Sequence, residues 1–143
     1  MTAEQSIFIQ SDPETIFAYL MDVNNRTAYI PALEEVILID ELPIRKGSRY
    51  IEVANLAGRK LRTTYQVIEY EANRRTAAKT IESVFPIRAD LDLLPSNGGT
   101  KLTIRLDFQL KGVFRLASTF IKGVVNQQAR GILEKIKNNL EKG

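Results

Sequence analysis

The chain has 143 residues, 20 basic and 17 acidic, with a net charge of +3; that length suits one domain, with space for a core and for a cavity inside it. It contains no cysteine and no histidine, which excludes disulfides and thiolate or imidazole metal sites and removes the commonest general base. Its basic residues form pairs at most (Arg45-Lys46, Arg59-Lys60, Arg74-Arg75) with acidic residues close by, so a dense nucleic-acid-binding stripe is missing and no nucleic-acid partner is expected.

The opening "MTAEQSIFIQSD" has neither the basic nor the long apolar block of a secretory leader. No apolar run reaches the roughly 18 residues of a membrane span. A cytoplasmic location is therefore the expectation. "SIFIQ", residues 6–10, reads as a strand. A helix start follows: Ser11 or Asp12 can cap, Pro13 fits the first helical position, and Glu14 meets the positive end of the dipole. Ile16, Phe17, Leu20 and Met21 recur at helical spacing, and Asn24-Asn25 is a poor continuation. "RTAYIP" predicts a second short helical piece ended by Pro31.

From Glu35 to Leu110 the pattern is that of strands. "EVILID", "RYIEVANL", "KLRTTYQVIEYE", "TAAKTIESVF", "IRADLDLLP" and "KLTIRLDFQL" are separated by turn signals, the strongest being "SNGGT". Leu102, Ile104, Leu106, Phe108 and Leu110 alternate with polar residues; so do Ile87, Ala89, Leu91 and Leu93 with Arg88, Asp90 and Asp92. Period two with one polar face predicts an antiparallel meander, wet on one side. Arg88, Asp90 and Asp92 then read as a solvated ladder.

Residues 113–140 read as one long helix, the only element long enough to cover such a sheet. The predicted class is α+β, with about seven strands curled around that helix and two short helices between the first two strands. Val113, Ala117, Phe120, Ile121 and Val124 form one apolar cluster on the helix. Val125, Ala129, Ile132, Ile136 and Leu140 form another, rotated by roughly a quarter turn. Gln128 points with the first cluster, so it reaches either solvent at the stripe's edge or the wall of a cavity. Gly123 and Gly131 each cost about 1 kcal/mol in a helix; they imply close approach of the sheet or a bend.

The whole chain resembles the helix-grip, START-like superfamily (SRPBCC), and within it the bacterial polyketide cyclase/dehydrase and lipid-transport branch. The resemblance is carried by "SIFIQSDPETIFAYLMDVNNRTAYIP", by the "LPIRKGSRY" turn, by "TTYQVIEYEANRRTAAKT" and by "SNGGTKLTIRLDFQLKG". Tyr29 stands where many members have Trp, and Ala72 where Pro is usual. These motifs cover residues 5–141 and specify the fold rather than a reaction. The resemblance implies a pocket between sheet and helix for a hydrophobic or amphipathic small molecule such as a lipid, quinone or polyketide-like compound.

On that geometry the inward residues are Phe120, Val124, Gln128 and Ala117 from the helix, and Leu106 and Phe108 from the last strand. Thr63, Tyr65 and Val67 come from the fourth strand, with Ile30 and Leu33 at a lid. Tyr65 and Gln128 would supply polar recognition. An enzyme would have to work with Glu, Asp, Tyr, Lys or Arg. Glu82 is the weak candidate: inward if it shares a face with Ala78 and Val84, in water if Ile81, Ser83 and Phe85 face inward, the register favoured here. No nucleophile elbow, phosphate loop or metal-ligand set is present, and no cofactor is expected. Binding or transport is the leading expectation, with a cyclase- or dehydratase-like enzyme and an interaction module as alternatives. A carboxylate or cation inside the pocket would favour the enzyme. The terminal helix is amphipathic, so membrane contact is expected to be transient at most.

Overall fold

Alternating residues build the sheet that the period predicts. The computed structural model describes residues 1–82 and 86–142, Leu56 by its backbone alone. Its elements run β1 (Thr2–Ile9), α1 (Pro13–Met21), a 3-10 helix (Val23–Ala28), β2 (Leu33–Leu38), β3 (Arg49–Leu56), β4 (Arg59–Glu71), β5 (Arg75–Glu82), β6 (Ile87–Ser96), β7 (Gly99–Phe108), a second 3-10 helix (Gly112–Ala117) and α2 (Ser118–Glu141). The described strands form one seven-stranded sheet in the order β1-β7-β6-β5-β4-β3-β2, and every pairing is antiparallel. The six-strand meander is therefore as expected, with β1 added at the far edge beside β7.

Local chemistry sets the boundaries. The Asp12 side chain accepts a hydrogen bond from the Thr15 N–H at 2.7 Å, and Pro13 opens α1. "SNGG" turns β6 into β7 with Asn97 at φ 43° and Gly98 at φ 80°, the left-handed pair of a tight hairpin. A Cβ at Gly99 would run into the Ile9 carbonyl oxygen and meet the Phe8 ring at 2.6 Å, so this glycine lets β1 lie against the hairpin. β1 begins four residues before the expected start: polar "TAEQ" is drawn into the sheet by β7, with Thr2 opposite Asp107 and Ala3 opposite Leu106. Two irregularities in the β4–β5 register, at Thr64/Tyr65 and Val67/Glu69, are the bulges that bend a strand and deepen a sheet's curl.

α2 packs differently from the expectation. Its buried stripe is Ala129, Leu133 and Ile136, which join Ile7, Ile9, Ile16, Phe17, Leu20 and Leu102 in the main core. Phe120 lies nine residues before Ala129, half a turn away at 100° per residue, and is 74% exposed. Val124 is exposed with it, as are Ala117 and Gln128. The four inward placements on this helix are thus corrected: the sheet took Ala129 and Ile136 of the second cluster together with Leu133, which neither cluster contained, and the first cluster, apart from half-buried Ile121, was turned outward. The chain also enters the helix through the 3-10 turn Gly112–Ala117 rather than from Val113. Gly123 and Gly131 meet nothing within 4 Å of an added Cβ, so close approach does not explain them.

Candidate functional site

Between the main core and a smaller cluster of Ile44, Tyr50 and Val67, the curled sheet leaves a cavity of about 230 Å³. Its wall is drawn from β3 to β7, from α1, from the Val23–Ala28 helix with the residues just after it, and from Ile132 and Ile136 of α2. Most of the wall is aliphatic, with Val67, Ala89, Leu91, Ile104 and Leu106 on the sheet side. A cavity of this volume accommodates a compound of one or two rings.

One end of the cavity is polar. Arg26, projecting from the Val23–Ala28 helix, donates from Nε to Glu52 Oε2 at 3.1 Å and from Nη2 to the same oxygen. The two side chains are only 18% and 13% exposed. The guanidinium also sits over the Tyr50 ring, 5.1 Å from its centroid, a cation–π contact that partial desolvation strengthens. Tyr50 in turn stacks on Tyr65 at 5.5 Å and 15°. The pair lies directly opposite across β3 and β4, so the alternation of both strands aims the two phenols and Glu52 to one side.

Burial works against the Arg26 charge, but Tyr50 and Glu52 beside it outweigh that effect and its pKa is raised. Burial pushes the Tyr29 phenol up to about 12, and raises Tyr50 and Tyr65 as well. All three are therefore neutral O–H groups at pH 7, while the ion pair beside them cancels its own charge. The polar end offers hydrogen bonds without a net charge.

Of the residues the sequence nominates, Tyr65, Val67, Leu106 and Ile30 line the cavity. Thr63 pairs with Glu52 across β3 and β4 but stands outside the wall. Leu33 and Phe108 are buried elsewhere, at the start of β2 and the end of β7. Phe120, Val124, Gln128 and Ala117 are exposed on α2 and the turn before it, outside the wall. Glu82 is exposed at the end of β5, away from the wall, while Ser83, Val84 and Phe85 lie outside the described residues. Arg26, Glu52, Tyr29 and Tyr50 were missed. The available signal was Tyr50 and Glu52 at period two on a strand whose neighbours Tyr65 and Val67 were already placed inside.

The charged ladder on the outer face is denser than a solvated row. Arg75 reaches Asp92 at 2.8 Å, Glu69 at 3.0 Å, and Asp90; Arg88 donates to Asp90 at 2.9 Å and to Glu69 at 2.6 Å. Asp90 is consequently buried. Burial opposes its charge, but the Arg88 and Arg75 bonds prevail and hold the carboxyl below its usual range. This network is closed on itself and tethers β4, β5 and β6. Among the described residues no cluster of His, Cys, Asp or Glu is arranged to hold a metal ion, and no helix is long and apolar enough to cross a membrane.

Solved structures share the architecture. A START superfamily protein from Mycobacterium smegmatis superposes with a TM-score of 0.83 at 12% identity, covering 99% of this chain and 97% of that one. A Thermus thermophilus protein gives 0.82 at 18% identity over 96% and 95%. The Zhui aromatase/cyclase from Streptomyces gives 0.80 at 16% identity over 99% and 93%. At these identities the likeness is one of fold. No curated protein sequence matches the chain. The family model "Polyketide cyclase / dehydrase and lipid transport" spans residues 1–141, so a helix-grip fold built around a largely apolar cavity agrees with the sequence match, and the chain belongs to that family.

Proposed function

We propose that the protein binds a small amphipathic molecule, of one or two rings or a short chain, with its apolar body in the cavity and an uncharged oxygen at the Tyr65–Tyr50–Arg26 end. The observation that carries this reading is the composition of the wall: aliphatic almost throughout, with a single polar end whose charges cancel. A ligand carboxylate would add uncompensated charge to that end at a heavy desolvation cost. A ketone, quinone or alcohol would accept or exchange hydrogen bonds there without one. Carriage or sensing of such a compound requires no bond to be made or broken.

Native mass spectrometry of the purified protein, followed by organic extraction, tests the proposal. A recurrent adduct of the stated size is expected, and it should be weakened or lost in Ala89→Phe, which places a ring at the cavity wall. Repeated absence across a panel of quinones, aryl ketones and short-chain alcohols overturns it.

The buried Arg26–Glu52 pair favours a second reading, an enzyme of the aromatase/cyclase kind. Glu52 could take the α-proton of a β-polyketone while Arg26 N–H groups hold the enolate oxygen; the enolate carbon then attacks a second carbonyl of the same chain, and the new alkoxide takes that proton back from Glu52. In that case a β-polyketone would be consumed by the wild type, while Arg26→Gln would retain binding and lose turnover.

A further inference from the structure

The first half of α2 and the turn before it carry an apolar stripe that the fold leaves uncovered. Leu116 is 91% exposed, Val113 75% and Phe120 74%, with Val124 following one turn on. They fall in a segment of unusual charge. Between Phe108 and Leu133 lie Lys111, Arg115, Lys122 and Arg130, and none of the chain's 17 acidic residues. Because the net charge of the whole chain is only +3, this stretch contains all of its positive excess. Arg130 is engaged by Glu134 and the Ser6 carbonyl. Lys111, Arg115 and Lys122 are exposed and, among the described residues, have no carboxylate partner.

Large exposed apolar side chains flanked by unpaired cations match the chemistry of an anionic lipid surface, where the side chains enter the acyl boundary and the cations meet phosphates. A second copy of this chain would bring the same positive charge to the stripe and be repelled. The segment also adjoins the cavity along the chain: Leu106 lines the wall, and Val113 is seven residues further on.

We propose that residues 111–124 dock the protein reversibly on membranes rich in anionic lipid. The docking does not rest on the cavity reading: no residue of 111–124 lines the cavity, so Ala89→Phe is expected to weaken ligand uptake and leave flotation unchanged.

The chain contains no tryptophan, so Phe120→Trp provides one reporter at the centre of the stripe. With vesicles of phosphatidylcholine and phosphatidylglycerol, its emission shifts to the blue and the protein floats with the lipid. With phosphatidylcholine alone it does neither. Lys111→Gln and Lys122→Gln each lower the partition coefficient about fivefold, Leu116→Ser/Phe120→Ser abolishes flotation, and added salt weakens binding. All these residues are at the surface, so the variants keep the wild-type circular dichroism. The proposal is overturned if the wild type fails to float with the anionic vesicles, or if the Lys→Gln and Ser variants float equally well. It is also overturned if sedimentation shows a wild-type dimer that Leu116→Ser dissociates, which would assign the stripe to a second copy.

Discussion

Arg26 and Glu52 show how much the site depends on single side chains. Removing one partner leaves the other nearly buried and unpaired, a loss of about 3–5 kcal/mol. Arg26→Ala and Glu52→Ala should each lower the urea midpoint by that equivalent. The double variant Arg26→Met/Glu52→Leu should recover much of it, because no orphan charge remains. Equal losses in single and double variants would mean that packing of the stems, and not the pair, holds the short helix on β3. Tyr65→Phe probes recognition separately: stability should change by less than about 1 kcal/mol, while affinity for a bound ketone or quinone should fall about tenfold, as measured by titration. Tyr65 was legible because strand alternation alone places it inside. Arg26 was not, since it sits in polar "VNNRTA", and only the fold brings it to a carboxylate 26 residues away.

At the scale of elements, α2 decides which of two apolar clusters faces the sheet. Leu133 is fully buried, so Leu133→Ala should cost about 2–5 kcal/mol, whereas Phe120→Ala should change stability by no more than about 0.5 kcal/mol. The reverse order in chemical denaturation would restore the inward placement of Phe120. Gly123 and Gly131 supply a second check on the same helix. Each has open space where a Cβ would go, so Gly123→Ala and Gly131→Ala should each stabilise by up to about 1 kcal/mol. The strands, their order and the α1 cap were legible because period two, turn residues and Asp12-Pro13 are local signals. The face of α2 was not local. Both clusters satisfy a helical period, and the choice was made by Ile7, Ile9 and Leu102, which join the second cluster in the core. Four of the nominated site residues fell with that choice.

For the molecule as a whole, the cavity is where the curled sheet and α2 fail to meet: α2 covers the β1 side, and β3 to β6 bend away from it. The polar end of that space should make stability sensitive to alkali. Burial raises the Tyr29, Tyr50 and Tyr65 phenols in the folded state, while unfolded phenols titrate near pH 10. Above about pH 10 the unfolded chain therefore releases protons that the folded chain retains, so stability falls as pH rises. The contribution is fully present below the unfolded value and is lost as pH climbs through the folded one, about 12 for Tyr29. At about 1.4 kcal/mol per pH unit, Tyr29 alone accounts for roughly 2–3 kcal/mol across that interval. Urea midpoints followed from about pH 8 to about pH 11.5 should fall late in the series. The comparison that isolates this phenol is Tyr29→Phe, whose midpoint should fall less steeply. Identical slopes for variant and wild type would mean that water reaches this end of the cavity and that its phenols are ordinary surface groups.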